Sequence, residues 1–593
     1  DFENIPLLKA TVSNVYVRDI ATVRDGADVA TGYALVNGKR SVYLNVAKAG
    51  NASTVHVVQK LKEAIPKIQS NLPEDVTISY EFDQSVYVVG ALKGLITEGV
   101  LGAVLTGLMV LLFLRDVRSA LIVIVTIPIA IVSGVLFLKL FGQTINIMTL
   151  AGLALAVGVL VDESTVTIEN IHQHLHRGKA VTLAVWDACR EIAFSKLLIL
   201  LCILSVFAPA LTMGGIPGAL FRPLALAIGC SMVISFLLSQ TLVPVMASWL
   251  LKKQHVTPEA GDGSELPRGT VRRAVERLMP YKRILVTAGS GVLIALAAFS
   301  LSRIGKDVLP RTNSSQVQMR LRAPDGTRIE KTEQVVHRAI GVVEEIAGPG
   351  KVRITSAYVG QHPSSFAISP IYLYNAGPHE ALLQVAFEGD VGGIDALKER
   401  VRQRLHDVMP DVHVGFEPVE ITEKILGQGA SYPIEVRFSG MKKKVNEKYA
   451  GMLLERLRQI DYLRDQQVQQ SLRYPALNVE VDRLRAAQLG VDMQDVTRSL
   501  IASTSSSRYT SKNMWVEGMM GIAYDVQVQT PAGELKTEDD LAQVPLMKNA
   551  SRPVLGDVAS ITPGVAYGET HNIGTMAFAS VTANVHGEDL QRA

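Results

Sequence analysis

The sequence predicts a multi-pass α-helical membrane protein that also carries α+β domains in water. Three observations predict it: six apolar runs long enough to cross a bilayer, acidic residues inside one of those runs, and long polar regions with alternating strand-like and helix-like periods. Composition agrees. Hydrophobic residues make up 48% of the 593 and charged residues 19%, the latter below the roughly 25% of soluble domains. A formal net charge of +3 is too near neutral to mark a nucleic-acid binder. Cys189, Cys202 and Cys230 all lie in or beside apolar runs, which argues against a disulfide framework. The chain opens at Asp1 with neither Met nor a signal-like segment, so it reads as an internal piece of a longer protein.

Residues 1–90 are polar, with strand-like alternation at Ser41–Val46 and Val76–Phe82 and a helical stretch near 53–70. Apolar runs follow at about 91–114, 119–140, 145–169, 193–213 and 223–251, and a sixth at about 284–304. Each supplies the ~20 residues that a helix needs to cross a ~30 Å hydrocarbon core. Basic residues gather in alternate loops: Arg115 and Arg118, then Arg177, Lys179, Arg190 and Lys196, then a cluster from Lys252 to Arg283. The loops near 141–144 and 212–221 contain no Lys or Arg. The positive-inside bias puts the basic loops in the cytoplasm, and 1–90 and 306–593 on the far side, the periplasm of a Gram-negative cell. The expected division is a polar region over 1–90, five spans over 91–251, a cytoplasmic linker over 252–283, a span over 284–305 and a second polar region over 306–593. Within the linker, Thr257–Gly269 is rich in Pro, Gly and acids, and Val271–Met279 is a basic stretch suited to a helix, either solvated or lying on the membrane surface.

The region 306–593 reads as β-α-β units in series. Strands are expected at Val317–Arg322, Leu383–Glu388, Val412–Phe416, Pro433–Ser439 and Leu477–Val481. Helices are expected at Arg328–Ile346 and at about 394–408, 443–459 and 493–502. An internal repeat adds a second signal. D-F-E-N-I-P-L at Asp1–Leu7 and V-Y-V-R-D-I-A-T-V at Val15–Val23 return as D-L-A-Q-V-P-L at Asp540–Leu546 and P-V-L-G-D-V-A-S-I at Pro553–Ile561. The offsets are 539 and then 538 residues, so one gap aligns both blocks. Duplicated halves are a common plan of secondary transporters, and a further block of spans is expected from about position 630.

The run at 145–169 carries Asp162 and Glu163 well inside it, with Glu169 and Asn170 at its cytoplasmic end. An ionised Asp at the bilayer centre costs roughly 2.5–3.5 kcal/mol, so such residues face a bundle interior and mark function. Enclosed carboxylates can take up and release protons near neutral pH. Each proton that crosses gains about 2.3 kcal/mol per 100 mV. The bland alternative is a fixed pair with a buried base. Lys93, Lys139, Lys196 and Arg222 all read as lying near span ends, so a basic partner is expected outside this stretch of chain.

These residues carry a likeness to a family. Gly152–Asn170 (G-L-A-L-A-V-G-V-L-V-D-E-S-T-V-T-I-E-N) resembles the fourth transmembrane helix of resistance-nodulation-division (RND) exporters. Phe113–Ser119 (F-L-R-D-V-R-S) resembles the turn after that family's second span, and Gly214–Pro223 (G-G-I-P-G-A-L-F-R-P) its loop between spans five and six. Asp307–Pro310 with Arg322–Glu333 resembles the entry into its second periplasmic half. The resemblance implies ferredoxin-like β-α-β porter subdomains plus a docking portion over 306–593. It also implies a homotrimer in the inner membrane, surrounded by lipid, that engages a periplasmic adaptor (membrane fusion protein) and an outer-membrane channel. The implied activity is secondary antiport of protons against small hydrophobic or amphiphilic molecules, with no cofactor and no enzymatic step, and Asp162 and Glu163 fall on the proton-relay acids. The drug-exporting branch usually has Asp-Asp there, so Glu163 departs from it while keeping the carboxylate. The heavy-metal branch usually has Asp-Gly followed by Val residues, a pattern absent here.

Other features read as structural. His172, His174 and His176 form H-Q-H-L-H, which lacks a completing Cys or carboxylate cluster and suits interfacial polar residues better than a metal site. Met319, Met493, Met514, Met519 and Met520 suit core or pocket positions better than soft-cation ligands. Pro128 and Pro244 are expected to kink their spans, and Gly152 and Gly158 to permit close helix packing. Gly427–Ser431 and Ser503–Ser507 read as surface loops. No G-x-x-x-x-G-K-[ST] motif occurs, so ATP is not the evident energy source. The competing readings are heavy-metal cation export by the same architecture and a non-pumping membrane accessory or translocation protein.

Overall fold

The structure is a computed structural model that describes residues 2–8, 14–27, 30–44, 46, 48–49, 52–80, 83, 85–114, 116–251, 277, 279–303, 315–361, 374–389, 391–419, 430–519, 521–531, 533–546 and 552–587. The linker expected over Thr257–Gly269 and nearly all of the basic helix expected over Val271–Met279 lie outside these residues. Two compact units form, one from Asp1–Asn45 and Leu296–Ala593, the other from Val46–Ala295. Helix α2 (Thr54–Gln69) groups with the apolar helices that follow.

The helical unit contains α3 (Ser85–Leu114), α4 (Val117–Leu140), α5 (Ile147–His176), α6 (Val181–Thr212), α7 (Gly215–Gln240) and α8 (Leu242–Leu250). A further apolar helix, α9, covers Lys282–Arg303. Among the described residues five stretches are long and apolar enough to cross a membrane: Val88–Leu112, Val117–Leu140, Val181–Thr212, Pro217–Leu250 and Met279–Leu301. The remaining expected span lies on α5, a continuous 30-residue helix whose described apolar stretch is Ile147–Ala156.

Two spans differ from expectation. The fourth begins at Val181 rather than near 193, because Asp187, Arg190 and Glu191 interrupt the apolar run without interrupting the helix. Ala184, Val185 and Ala188 of that extra length bury against Ile168, Ile171 and Val243. The fifth is broken at Thr241 and starts at Gly215, inside the stretch read as a loop. Pro244 lacks the N–H that would bond back to Gln240, which accounts for the break. Pro128 sits within α4 without interrupting it. At Gly152 a Cβ would stand 2.8 Å from Ala227 Cβ and Leu224 O, so α5 and α7 meet there only because the side chain is absent. Gly158 meets nothing within 4 Å among the described residues and serves no such contact.

The other unit holds a six-stranded antiparallel sheet ordered β4-β3-β6-β7-β5-β8. Its strands are β3 (Gly32–Val36), β4 (Lys39–Ser41), β5 (Gln316–Arg322), β6 (Val352–Gly360), β7 (Glu380–Phe387) and β8 (His413–Glu417). With α10 (Ile329–Ala347) and α11 (Ile394–Val408) the later part runs β-α-β-β-α-β, the ferredoxin-like plan. Leu321, Leu383, Val385, Val336, Val343, Leu397 and Leu405 form the core between sheet and helices. The hairpin β3–β4 joins this sheet on β6, with Gly32 opposite Gly360. Its turn has positive φ at both Asn37 (48°) and Gly38 (72°), a type I′ geometry that Asn-Gly favours. The alternating stretch expected as a strand at Ser41–Val46 leaves the sheet after Ser41, with Val42 and Leu44 exposed. The described part of Val76–Phe82 is not a strand either.

A second split β-α-β follows: β9 (Ile434–Ser439), α12 (Lys443–Leu457) and β10 (Leu463–Val468), with β16 (Met576–Val585) paired between β9 and β10. Between β10 and β16 in sequence lies an inserted part. It is framed by the antiparallel pair β11 (Tyr474–Val481) and β14 (Ala559–Ala566), and its own core holds Ala486, Val496, Leu541, Leu555 and Val558. The repeat seen in the sequence is a repeat in space. Pro6 pairs with Tyr16, and Pro545 with Val554. Tyr16 N–H donates to Asp19 Oδ2 at 2.8 Å, and Val554 N–H to Asp557 Oδ2 at 2.9 Å. Val17 N–H reaches Ile5 O at 3.1 Å, and Leu555 N–H reaches Val544 O at 2.9 Å. In both copies the recurring Asp caps one turn of helix.

Buried charges tie the first ferredoxin-like part to the second. Arg322 Nε donates to Glu380 Oε1 at 2.6 Å, while its Nη1 and Nη2 donate to Val468 O (2.9 Å) and Gln469 O (2.5 Å) at the end of β10. Arg320 Nε donates to Glu417 Oε1 at 2.6 Å, and its Nη1 to Glu380 Oε2 at 3.1 Å. Burial by itself would raise the Glu380 carboxyl, but the Arg322 and Arg320 guanidiniums and the Ala376 N–H outweigh it and hold it at about 2.

A carboxyl held that low stabilises the fold fully above its unfolded value near 4.3 and loses the contribution as pH falls through about 2. The urea midpoint of the purified protein therefore drops between about pH 4 and pH 2 by more than that of Glu380→Gln; equal pH slopes would refute the ion pair. Leu383 is fully buried. Leu383→Ala lowers stability by about 2–5 kcal/mol in the same measurement.

Candidate functional site

The acids singled out in the sequence sit on α5. The Asp162 side chain lies outside the described ones. Glu163 is 7% exposed, enclosed by neighbouring helices, and neither of its carboxylate oxygens has a hydrogen-bond partner among the described residues. Ser239 of α7 faces the carboxylate while its hydroxyl donates to Phe236 O at 2.9 Å. Two things hold this part of α5 in place. Asn146 and Thr149 cap its first turn reciprocally, and Leu150, Leu153 and Ala156 pack into neighbouring helices.

A buried lysine lies beside Glu163, on α6. Lys196 is 3% exposed and stands near the middle of its helix, since that helix starts at Val181. Its Nζ donates to the backbone O of Glu163 at 2.5 Å and also to Thr167 Oγ1. Thr167 Oγ1 in turn donates to Glu163 O at 3.0 Å. The ammonium thus rests on two neutral oxygens, close enough for its charge to act on the carboxylate. Nothing in the sequence except the continuity of helical period through 181–192 places Lys196 mid-helix. The charged residues at Asp187, Arg190 and Glu191 mask that period.

This arrangement sets a carboxylate and an ammonium in one enclosure between helices. Moving a carboxylate and an ammonium out of water is expensive unless they pair or neutralise. Among the described residues the ammonium has two acceptors, whereas the carboxylate has no hydrogen-bond partner within normal geometry and faces the Ser239 side chain. Glu169 is exposed, as suits an interfacial residue. The histidines diverge: His172 Nε2 pairs with Ser119 Oγ at 2.6 Å and lies 3.4 Å from Asp116 Oδ2, His174 Nε2 pairs with Glu191 Oε2 at 2.8 Å, and His176 is exposed. Among the described residues no three His, Cys, Asp or Glu side chains converge as metal ligands. Met319 is a core residue, whereas Met493, Met514 and Met519 are scattered and exposed.

Comparison with known proteins places the whole chain. The sequence model of the AcrB/AcrD/AcrF family matches residues 1–592. The swarming motility protein SwrC of Bacillus subtilis is 25% identical over 593 aligned residues, which cover 97% of this chain and 53% of SwrC. The multidrug resistance protein MdtC of Cronobacter sakazakii is 32% identical over 238 residues, 40% of this chain and 23% of MdtC. The chain thus spans about half the length of SwrC. Two crystal forms of a heavy metal efflux pump share the fold. One has a TM-score of 0.76 at 20% identity, covering 100% of this chain and 60% of that one, and the other 0.79 at 21%, covering 98% and 56%.

Thr167 is fully buried. Thr167→Val removes one of the two acceptors that hold the Lys196 ammonium and should lower stability by about 1–3 kcal/mol, with Thr167→Ser near the parent. Thermal unfolding in detergent reads this directly. Equal midpoints for Val and Ser would show that the hydroxyl does not hold the lysine.

Proposed function

We propose that this chain, which belongs to the AcrB/AcrD/AcrF family of RND efflux transporters, is the inner-membrane part of a proton-driven pump that exports small hydrophobic or amphiphilic compounds. RND permeases are secondary transporters of the inner membrane rather than enzymes. The observation that carries the coupling is Glu163, a carboxylate enclosed among helices, without a hydrogen-bond partner among the described residues and beside a buried lysine. Protonation neutralises it, and deprotonation leaves a buried charge that Lys196 is near enough to compensate. The two states therefore favour different helix arrangements, which is what coupling to a gradient requires. Asp162, its neighbour in sequence, shares the role in this proposal.

Cargo and partners follow from the family. The adjacent carboxylates at Asp162 and Glu163 support export of hydrophobic compounds over metal cations, as does the likeness to a protein named for multidrug resistance. In the proposed assembly three copies join a periplasmic adaptor and an outer-membrane channel, and the parts outside the helices face the periplasm, as the basic loops indicate. No cofactor enters the cycle; the proton gradient supplies the energy.

The test uses the full-length protein in a Gram-negative host stripped of its own efflux pumps. Expression should raise tolerance to dyes and detergents and leave tolerance to copper and zinc salts unchanged. Glu163→Gln and Asp162→Asn should each reduce dye efflux by about 100-fold or more. Efflux that persists in both variants under a proton gradient would refute the coupling, and protection against the metals alone would reassign the cargo.

A further inference from the structure

Glu163 is one end of a polar seam. At about 100° per residue, Thr167, Asn170 and His174 all fall within about 40° of Glu163 around α5. Each of them meets α6. Lys196 bonds to Thr167 and to the Glu163 carbonyl. Asn170 Nδ2 donates to Ala188 O at 3.0 Å, and the same amide faces Glu191. His174 Nε2 lies 2.8 Å from Glu191 Oε2. The half-buried thiol of Cys189 borders Lys196 between these points. From residue 163 to 174 the helix rises about 16 Å.

The two ends of the seam differ in their access to water. Glu163 is 7% exposed, whereas the Glu191 side chain is 58% exposed. His174 stands between them, 5% exposed, with its Nδ1 buried and without a partner among the described residues. One ring nitrogen is thus buried and without a partner among the described residues while the other is bonded to a solvated carboxylate, the arrangement in which an imidazole passes a proton across itself. His172 does not fit the role. Nine residues from Glu163, it points to the opposite side of α5 and is engaged with Ser119 and Asp116 of the α4 start. Among the described residues the other charged groups near His174 and Glu191 are Asp187, Arg177 and, beside Asp187, Lys179 and Arg190.

We propose that the α5–α6 seam is the exit by which protons leave Glu163 for the cytoplasm, with His174 as the shuttle that delivers them to Glu191. The inference rests on the proton-driven reading given above. The O–H bond of the Glu163 carboxyl breaks, and the proton is carried along the seam by water while the Lys196 ammonium compensates the carboxylate left behind. An N–H bond forms at His174 Nδ1, and the Nε2–H bond then breaks in favour of the Glu191 carboxylate. Water takes the proton from Glu191. The neutral ring then turns its Nδ1 toward the same cytoplasmic water, where the Nδ1–H bond breaks and an Nε2–H bond forms with a proton returned by water, so the starting tautomer is restored and the net change is one proton delivered.

The experiment measures substrate-driven proton release from the full-length protein in proteoliposomes that contain a pH-sensitive dye. His174→Ala should slow release by about tenfold or more, and added imidazole should restore it by entering the vacated space. Glu191→Gln, at an exposed position that spares folding, should slow release in the same direction. A purely structural histidine would not respond to imidazole. Release at the parental rate in His174→Ala, or a slowed rate that imidazole leaves unchanged, overturns the exit route. Glu163→Gln and Asp162→Asn separate the two proposals: transport that continues in both of these variants defeats the proton-driven reading, and transport that stops in them while both seam variants run at the parental rate defeats the exit alone.

Discussion

A carboxylate shut among helices without a hydrogen bond from any described residue is the constraint around which the membrane-embedded unit is organised. Such a group costs free energy in whichever state it is charged, and only close packing keeps water from relieving that cost. The packing is visible on each side of Glu163. Gly152 lets α5 lie against α7, Ser239 closes the far wall, and the long α6 brings Lys196 to the same level. The lysine donates to neutral oxygens rather than to the carboxylate. A tight Glu163–Lys196 ion pair would have been a structural tie with nothing left to exchange.

The water-exposed unit uses charge in the opposite way. Glu380 and Glu417 are buried and Arg320 and Arg322 partly so, yet each finds its partner at hydrogen-bond distance. Arg322 spends two donors on the backbone of the neighbouring subdomain, so the ion pair and the junction are one feature. Breaking one member would leave the others uncompensated in a dry setting, which is far costlier than the pair is worth in stability. These charges fix geometry by direct pairing, which the Glu163 carboxylate lacks among the described residues.

Much of this is legible in the amino-acid order. Hydropathy locates the spans, the alternation of period locates most strands and helices after residue 316, and the recurring Asp-Pro-Leu and Asp-Ala positions mark a duplication that the hydrogen bonds of Asp19 and Asp557 reproduce. Glu163 stands out because a carboxylate inside an apolar run is too costly to keep there without a use. Lys196 stays hidden because a stretch of low hydropathy mimics the end of a span, when Asp187, Arg190 and Glu191 merely belong to a helix that continues. Apolar alternation favours a strand at Ser41–Val46 over the hairpin at Asn37–Gly38, although the Asn-Gly pair is the stronger local signal. Strand β6 pairs with β3, a partner far away in sequence, and that kind of pairing leaves no local mark.

The pairing of β3 with β6 also dictates an order of assembly. Gly32 and Gly360 are neighbours in the sheet, but the chain between them contains every apolar helix from α3 to α9. During synthesis the β3–β4 hairpin emerges long before its partner strand exists, with one edge bare while the ribosome works through the intervening segments. Closing so large a loop costs entropy before any contact repays it, so this sheet is a late event in biogenesis. An unpaired edge kept waiting that long invites wrong partners. The β3 edge is therefore covered only once the helices between have been made and β6 arrives.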